Sequence, residues 1–246
     1  YKREGQSGWI TLIRPEKRNA LNDELVSALK DALRLANNDD EVRVVVISGA
    51  GKDFCAGADL SSLQKIARAS IEENIKDAKA LMELFLLIRQ VQVPVIAAVT
   101  GRALAGGCGL ATACDLVLAS SDSRFGYPEV KIGFVPAMVL AILRRNVSEK
   151  RAFELLTAGE EISAQDALNI GVVNKVFDSD SFQVDVDSYL EKFTQTSKSA
   201  VSLTKKLLYQ VDGLDFANAL ETGVDVNVIA RMTEDCQRGV ARFLKK

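Results

Sequence analysis

The chain has 246 residues, 48% of them hydrophobic, with 31 Lys+Arg against 33 Asp+Glu for a net charge of −2. A chain of this size buries a core without metal or disulfide staples. Its mixed, near-neutral charge excludes the basic footprint of a nucleic-acid binder and any like-charge tail. It contains no histidine. Ser-His-Asp and Cys-His nucleophiles are therefore excluded, as are HExxH zinc and two-His iron sites, and no metal is expected. Acid–base chemistry falls to Glu, Asp, Lys, Tyr, Cys or water. Cys55, Cys108, Cys114 and Cys236 show no CxxC spacing and read as small hydrophobes of a reducing compartment. No apolar run spans a bilayer and no secretory signal opens the chain. A cytoplasmic protein without a membrane partner is the expectation; a removed organellar transit peptide is the alternative for a sequence beginning at Tyr1.

Short runs rich in Val and Ile predict strands at residues 9–13, 44–47, 95–99 and 116–119. They do not alternate strictly, which suits strands buried on both faces. After the first strand, Asn22 is placed to cap a helix carrying Leu25, Leu29, Ala32, Leu33 and Ala36 on one face. A second helix is predicted over 72–91, with Leu81, Leu84, Phe85 and Ile88 in register, ending before Pro94. Strand signals fade after about residue 140, and 172–176 is the last strand expected. Ser163 and Asp166 resemble a capping box opening a short helix. From residue 181 the pattern is helical. Leu203, Leu207, Leu208 and Val211 form one stripe, Val224, Val228 and Ile229 another, and Phe243 and Leu244 close the chain. The alternation argues for an α/β core over residues 1–195 and a helical region over 196–246. No Pro-, Gly- or Ser-rich linker divides them, so they are expected to fold as one unit.

Two glycine-bearing loops follow strands and open into helices. One spans residues 49–60 and the other 101–110. Each sets free backbone N–H groups at a helix N-terminus, where partial positive charge gathers, and small residues allow close approach. A Rossmann fingerprint from Gly49 needs a third glycine where Phe54 stands. A Walker A loop from Gly101 needs lysine where Gly107 stands. Tight turns with close helix packing are the plain alternative.

The segments "DFCAGADL", "GRALAGGCGLATACDLVLAS" and "SRFGYPEVKIGFVP" resemble, in order and spacing, the enoyl-CoA hydratase/isomerase (crotonase) superfamily. The likeness runs from the strand at Trp9 through "RPEKRNALN" to the closing "TEDCQRGVARFLKK". It implies an α/β spiral of repeated β-β-α units with a helical C-terminal region for trimerisation, and a homo-oligomer that is a trimer or dimer of trimers. It implies an acyl-CoA substrate and no separate cofactor, coenzyme A being part of that substrate. By position, the peptide N–H groups of Ala58 and Gly106 correspond to the family's oxyanion hole, which holds the thioester oxygen as it gains charge. Ala20, Ala56 and Asp59 are candidate coenzyme A neighbours. Lys17 and Arg18 resemble residues that meet its phosphates, a solvated basic turn being the plain alternative.

Hydratases of this family usually carry two glutamates. One stands three residues after the oxyanion-hole glycine and the other follows the proline of the "PE" pair. The second is Glu129; the first position is Gly109. The resemblance therefore implies an enzyme with Glu129 as its acid–base residue, most readily one that hydrates a 2-enoyl-CoA. A methylglutaconyl-like substrate, whose own carboxylate helps place the water, is one form of that reading. A Δ3,Δ2-enoyl-CoA isomerase needs only one glutamate and is the alternative. A non-catalytic acyl-CoA-binding protein is a second. Asp115 and Asp122 are read as structural, Asp59 also as a helix cap, and Tyr127 as lining the acyl pocket or packing.

Overall fold

Hydrophobic residues on both sides of each central strand demand cover on both faces, and the chain supplies it by returning a helix after nearly every strand. A computed structural model describes residues 1–66 and 68–245, with no account of the side chains at 60, 61 and 63. In chain order the elements are β1 (Lys2–Glu4), β2 (Ser7–Leu12), α1 (Asp23–Asn37), β3 (Val44–Gly49), α2 (Leu60–Ile66), α3 (Ile71–Gln90), β4 (Val95–Val99), β5 (Arg102–Leu104) and α4 (Gly106–Ala113). There follow β6 (Leu116–Ser120), β7 (Arg124–Gly126), a 3-10 turn (Pro128–Ile132), α5 (Ala137–Asn146), α6 (Glu149–Ala158), β8 (Glu161–Ser163), α7 (Ala164–Ile170) and β9 (Lys175–Phe177). Helices α8 (Phe182–Thr194), α9 (Lys198–Gln210), α10 (Phe216–Met232) and α11 (Glu234–Phe243) complete the chain.

The larger sheet has the order β1-β2-β3-β4-β6-β9 and is parallel except for the β1–β2 hairpin. A smaller sheet, β5-β7-β8, lies beside it. Isolated parallel bridges, Leu21 to Ala58 and Cys55 to Ala103, extend that second layer. Each turn of the chain thus lays one strand in the large sheet, one short pairing in the second layer, and a helix. The units β4-β5-α4 and β6-β7-α5 show the β-β-α spiral most fully.

Along each central strand the side chains alternate between two cores. Val45, Ile47, Val95, Ala97 and Val99 face the main core, which includes Leu29, Leu33, Leu84 and Ile88 of α1 and α3. Val44, Val46, Ile96, Ala98 and Leu118 face Phe182, Val186 and Leu190 of α8. That double burial is why the strands carry no polar–apolar alternation.

The first helix starts where its cap requires: Asn22 accepts a hydrogen bond from the Leu25 N–H at 2.9 Å. Asn22→Ala is expected to cost about 1 kcal/mol, a fall of about 2–4 °C in a thermal melt for a chain of this size. An unchanged melting temperature would assign the start of α1 to its packing rather than to its cap. Helix α3 begins one residue earlier than read, because Ser70 and Glu73 form a reciprocal capping box. The Ser163 cap of α7 is present, with the Asp166 N–H donating to its hydroxyl. The last strand starts at Lys175 rather than 172. The Val172 and Val173 N–H groups both donate to the Ala167 carbonyl, which ties them to the end of α7.

Helix α9 is fastened to the core by polar groups. Buried Lys205 donates to the Ile88 and Val93 carbonyls at 2.9 and 3.0 Å and pairs with Asp115 at 2.6 Å. Asp115 also accepts from the Val95 N–H and the Tyr209 hydroxyl, so its structural reading holds. Among the described residues no helix is long and apolar enough to cross a membrane.

Candidate active site

The site forms where the 55–59 loop meets the start of α4. The Leu21 N–H donates to the Gly57 carbonyl at 2.6 Å, and the Asp59 N–H donates to the Leu21 carbonyl at 2.9 Å. In a parallel bridge of this kind the intervening residue turns its own peptide groups to the opposite edge. The Ala58 N–H therefore faces away from Leu21. The loop is braced from behind. Buried Asn19 donates to the Ala50 and Asp53 carbonyls. Arg14 donates to the Ala20 carbonyl at 2.5 Å and reaches the Asp59 carboxylate at 2.7 Å.

Gly57 sits at φ +93°, and a Cβ there would lie 2.7 Å from the Ala105 Cβ and 3.4 Å from the Gly106 nitrogen. Only glycine permits that contact, and it brings the peptides of Ala58 and Gly106 together. Ala105 holds φ +50° and ψ −128°, a conformation costly for a residue with a side chain. Its N–H is fixed by the Gly126 carbonyl at 2.8 Å, and the strained residue orients the peptide that carries the Gly106 N–H. Among the described residues, neither the Ala58 nor the Gly106 N–H donates to a backbone carbonyl.

Glu129 stands in the 3-10 turn after Pro128, half-buried. Its Oε2 is buried and has no hydrogen-bond partner among the described residues. Burial pushes its carboxyl above the ordinary glutamate value, opposed only by its own backbone N–H. The Cys108 thiol is pushed up to about 12, mainly by burial, with the Glu129 charge adding to the rise. The pairing of Leu104 with Gly126 sets the turn that carries Glu129 next to the strand leading into α4. Tyr127 is fully buried, and its hydroxyl lies 3.2 Å from the Thr112 hydroxyl. Thr112 donates to the Cys108 carbonyl at 2.9 Å, which leaves its oxygen to accept from Tyr127. The residue before Pro128-Glu129 is thereby pinned to the helix that begins at Gly106.

Gly109 lies one turn into α4. A Cβ there would fall 2.2 Å from the Val139 Cγ1 and 3.5 Å from the Phe85 Cζ. The space a second acid would need is filled by α5, so Gly109→Glu is not a simple restoration. Phe85 was legible as part of a helical stripe. Val139 was not, because a valine in an apolar stretch carries no local sign of what it packs against.

The coenzyme A candidates divide. Lys17 and Arg18 are exposed, Arg18 standing 3.9 Å from Asp53. Ala20 is buried beneath them, and the Ala56 N–H donates to the Arg18 carbonyl at 3.0 Å. Asp59 is turned inward, 5% exposed, with its carboxylate on Arg14.

A β-β-α spiral whose 55–59 loop meets the start of α4, with a half-buried glutamate in the turn after β7, is the framework of a crotonase-type enzyme. The chain belongs to the enoyl-CoA hydratase/isomerase family, whose sequence profile matches residues 4–246. It is 37% identical over 243 residues to a Thermus thermophilus protein bearing an enoyl-CoA hydratase name, covering 99% of this chain and 96% of that one. It is 34% identical to the crotonyl-CoA hydratase of Syntrophomonas wolfei, covering 100% of this chain and 94% of the relative. The crystal structure of an enoyl-CoA hydratase of Mycobacterium smegmatis superposes with a TM-score of 0.94 at 33% identity, covering 100% of this chain and 95% of that one.

Proposed function

We propose that this enzyme adds water reversibly to a 2-enoyl-CoA, with Glu129 as its one acid–base side chain and the Ala58 and Gly106 N–H groups as its oxyanion hole. The single observation that carries this reading is the buried Oε2 of Glu129, without a hydrogen-bond partner among the described residues, on the turn that follows the strand paired to the one leading into Gly106. A relative named crotonyl-CoA hydratase supports the reaction type. Glu129 takes a proton from water as the oxygen bonds to C3. The C2=C3 electron pair moves onto the thioester oxygen, where the two N–H groups hold the enolate. Glu129 then returns the proton to C2. Donors fixed in advance stabilise that oxygen without reorganising, and loss of one costs about 3–4 kcal/mol. Lys17 and Arg18 are assigned to the coenzyme A phosphates, with Ala20 and Ala56 shaping the ridge behind them, while Asp59 holds the loop through Arg14.

One observation favours a second reading. The nearest neighbours of Gly109 are apolar, Val139 and Phe85, where the family's second acid would stand. A lone carboxyl is sufficient to move a proton from C2 to C4 of a 3-enoyl-CoA, which is isomerisation. Assaying purified enzyme on both substrate types decides between them. Hydration of the 2-enoyl-CoA is expected to dominate; turnover confined to the 3-enoyl-CoA would overturn the hydratase reading.

We also propose a trimer-based assembly. Phe216, Val224, Val228 and Met232 on α10 are 80, 61, 54 and 73% exposed, more apolar surface than one helix leaves in water without cover. Light scattering is expected to give three or six copies of the 26.7 kDa chain; a stable monomer at micromolar concentration would refute it.

A further inference from the structure

We infer that Val139 sets the shape of the acyl group, selecting unbranched hydrocarbon acyl-CoAs over branched or carboxylate-bearing ones. The inference deepens the proposed function and rests on its placement of Glu129 and the two peptide donors. Gly106, at the first position of α4, carries one of those donors, and Gly109 stands one turn further on the same face. The Ala105 N–H bond to the Gly126 carbonyl at 2.8 Å and the Tyr127–Thr112 hydroxyl pair at 3.2 Å set the chain entering the Pro128–Glu129 turn against that same helix. With the thioester placed as proposed, the side chain that faces Gly109 borders the carbons that Glu129 works on.

That neighbour is Val139. Its Cγ1 stands 2.2 Å from where a Cβ on Gly109 would be, its Cβ stands at 3.3 Å, and Phe85 closes the volume from behind at 3.5 Å. Both side chains are nearly out of contact with solvent, at 4 and 6% exposure. A valine in a helix has essentially one χ1 rotamer. Helix α5 is itself held to α4, with the Asn146 side-chain amide donating to the Thr112 carbonyl at 3.1 Å. The wall is stiff and cannot swing aside cheaply. Val139 and Phe85 offer no hydrogen-bond donor, so a substrate carboxylate pressed against them loses its water without replacement. A methyl branch meets a filled volume. The same geometry weighs against a methylglutaconyl-like substrate.

The test is a ratio of kcat/KM values, measured for the straight 2-enoyl-CoA that the wild type turns over fastest and for its 2-methyl, 3-methyl and terminal-carboxylate relatives. In Val139→Ala the better of the two branched-to-straight ratios is expected to rise about 10–100-fold, the scale on which small apolar pockets discriminate by a carbon. The double variant Gly109→Ala/Val139→Ala puts a methyl back into the vacated space from the other side, and the ratio is expected to return towards wild type. Glu129→Gln, assayed on the same panel, separates the two levels of the reading. If Glu129→Gln abolishes turnover but Val139→Ala leaves every ratio within twofold, Val139 does not set selectivity and the proposed function stands. If Glu129→Gln turns over normally, the site is misplaced and both readings fall. A wild type that prefers a branched or carboxylate-bearing substrate also overturns the inference.

Discussion

Glu129→Gln is expected to lower turnover by about 10²–10⁴-fold, the usual contribution of a general acid–base group, and to leave acyl-CoA binding in place. Glutamine keeps the shape of the side chain but cannot cycle a proton. Gly109 has no side chain and histidine is absent from the chain, so neither that position nor an imidazole can take over. The pH profile provides an independent check. Burial raises the Glu129 carboxyl above its ordinary value, so the ionised, proton-accepting form is lost on acidification earlier than for a free glutamate. The acid limb of the rate profile is expected above the usual carboxylate range, and it should disappear from the residual activity of Glu129→Gln. Linkage gives the stability sign. A carboxyl raised in the folded state adds stability below its unfolded value, and that contribution is lost as pH rises through the raised folded value. At neutral pH Glu129 is therefore a group the fold tolerates for chemistry, and Glu129→Gln is expected to melt no lower than wild type there. Near-wild-type turnover in that variant on every substrate the enzyme accepts would remove Glu129 from the mechanism.

What could be read without coordinates follows how local each signal is. The strand at 95–99 and the Asn22 and Ser163 caps were legible because period and capping chemistry act within a few residues. The strands β5, β7 and β8 have three residues each, too few to show a period, yet β5 and β7 carry the chain into Gly106 and Glu129. The candidate site could be named from spaced motifs, but the contacts that hold its residues could not. The Leu21–Ala58 bridge, the Arg14–Asp59 ion pair and the bond from Tyr127 to Thr112 join residues 37, 45 and 15 positions apart. Asp59 reads in sequence as a ligand neighbour and as a helix cap; in the fold its carboxylate is also paired with Arg14. Gly109 reads as an absent acid, whereas in the fold its neighbourhood is occupied. Local patterns set where the backbone goes; what a bare position faces depends on helices that arrive later in the chain.

That occupied space governs the last expectation. Gly109→Glu is expected to destabilise the protein by several kcal/mol rather than add a working second acid. The first added atom already lies 2.2 Å from Val139 Cγ1, and overpacking of this kind costs about 1–3 kcal/mol before the rest of the side chain is placed. The carboxylate then sits beside Val139 and Phe85 without a donor, and an uncompensated buried charge costs about 3–5 kcal/mol. Replacing a helical glycine returns only about 0.5–1 kcal/mol of backbone entropy. The net loss of about 3–7 kcal/mol is a large share of a typical total of about 5–15 kcal/mol, so the urea midpoint is expected well below that of wild type. Gly109→Ala isolates the first part and is expected to lower the urea midpoint on its own. It should do so by less in a Val139→Ala background, with a coupling above about 0.5 kcal/mol, because the two positions compete for one volume. A Gly109→Glu protein with a wild-type midpoint would mean that Val139 moves aside at little cost and that the wall is not stiff. New hydration activity in that same protein would show in addition that a carboxylate at this turn of α4 reaches the substrate's water.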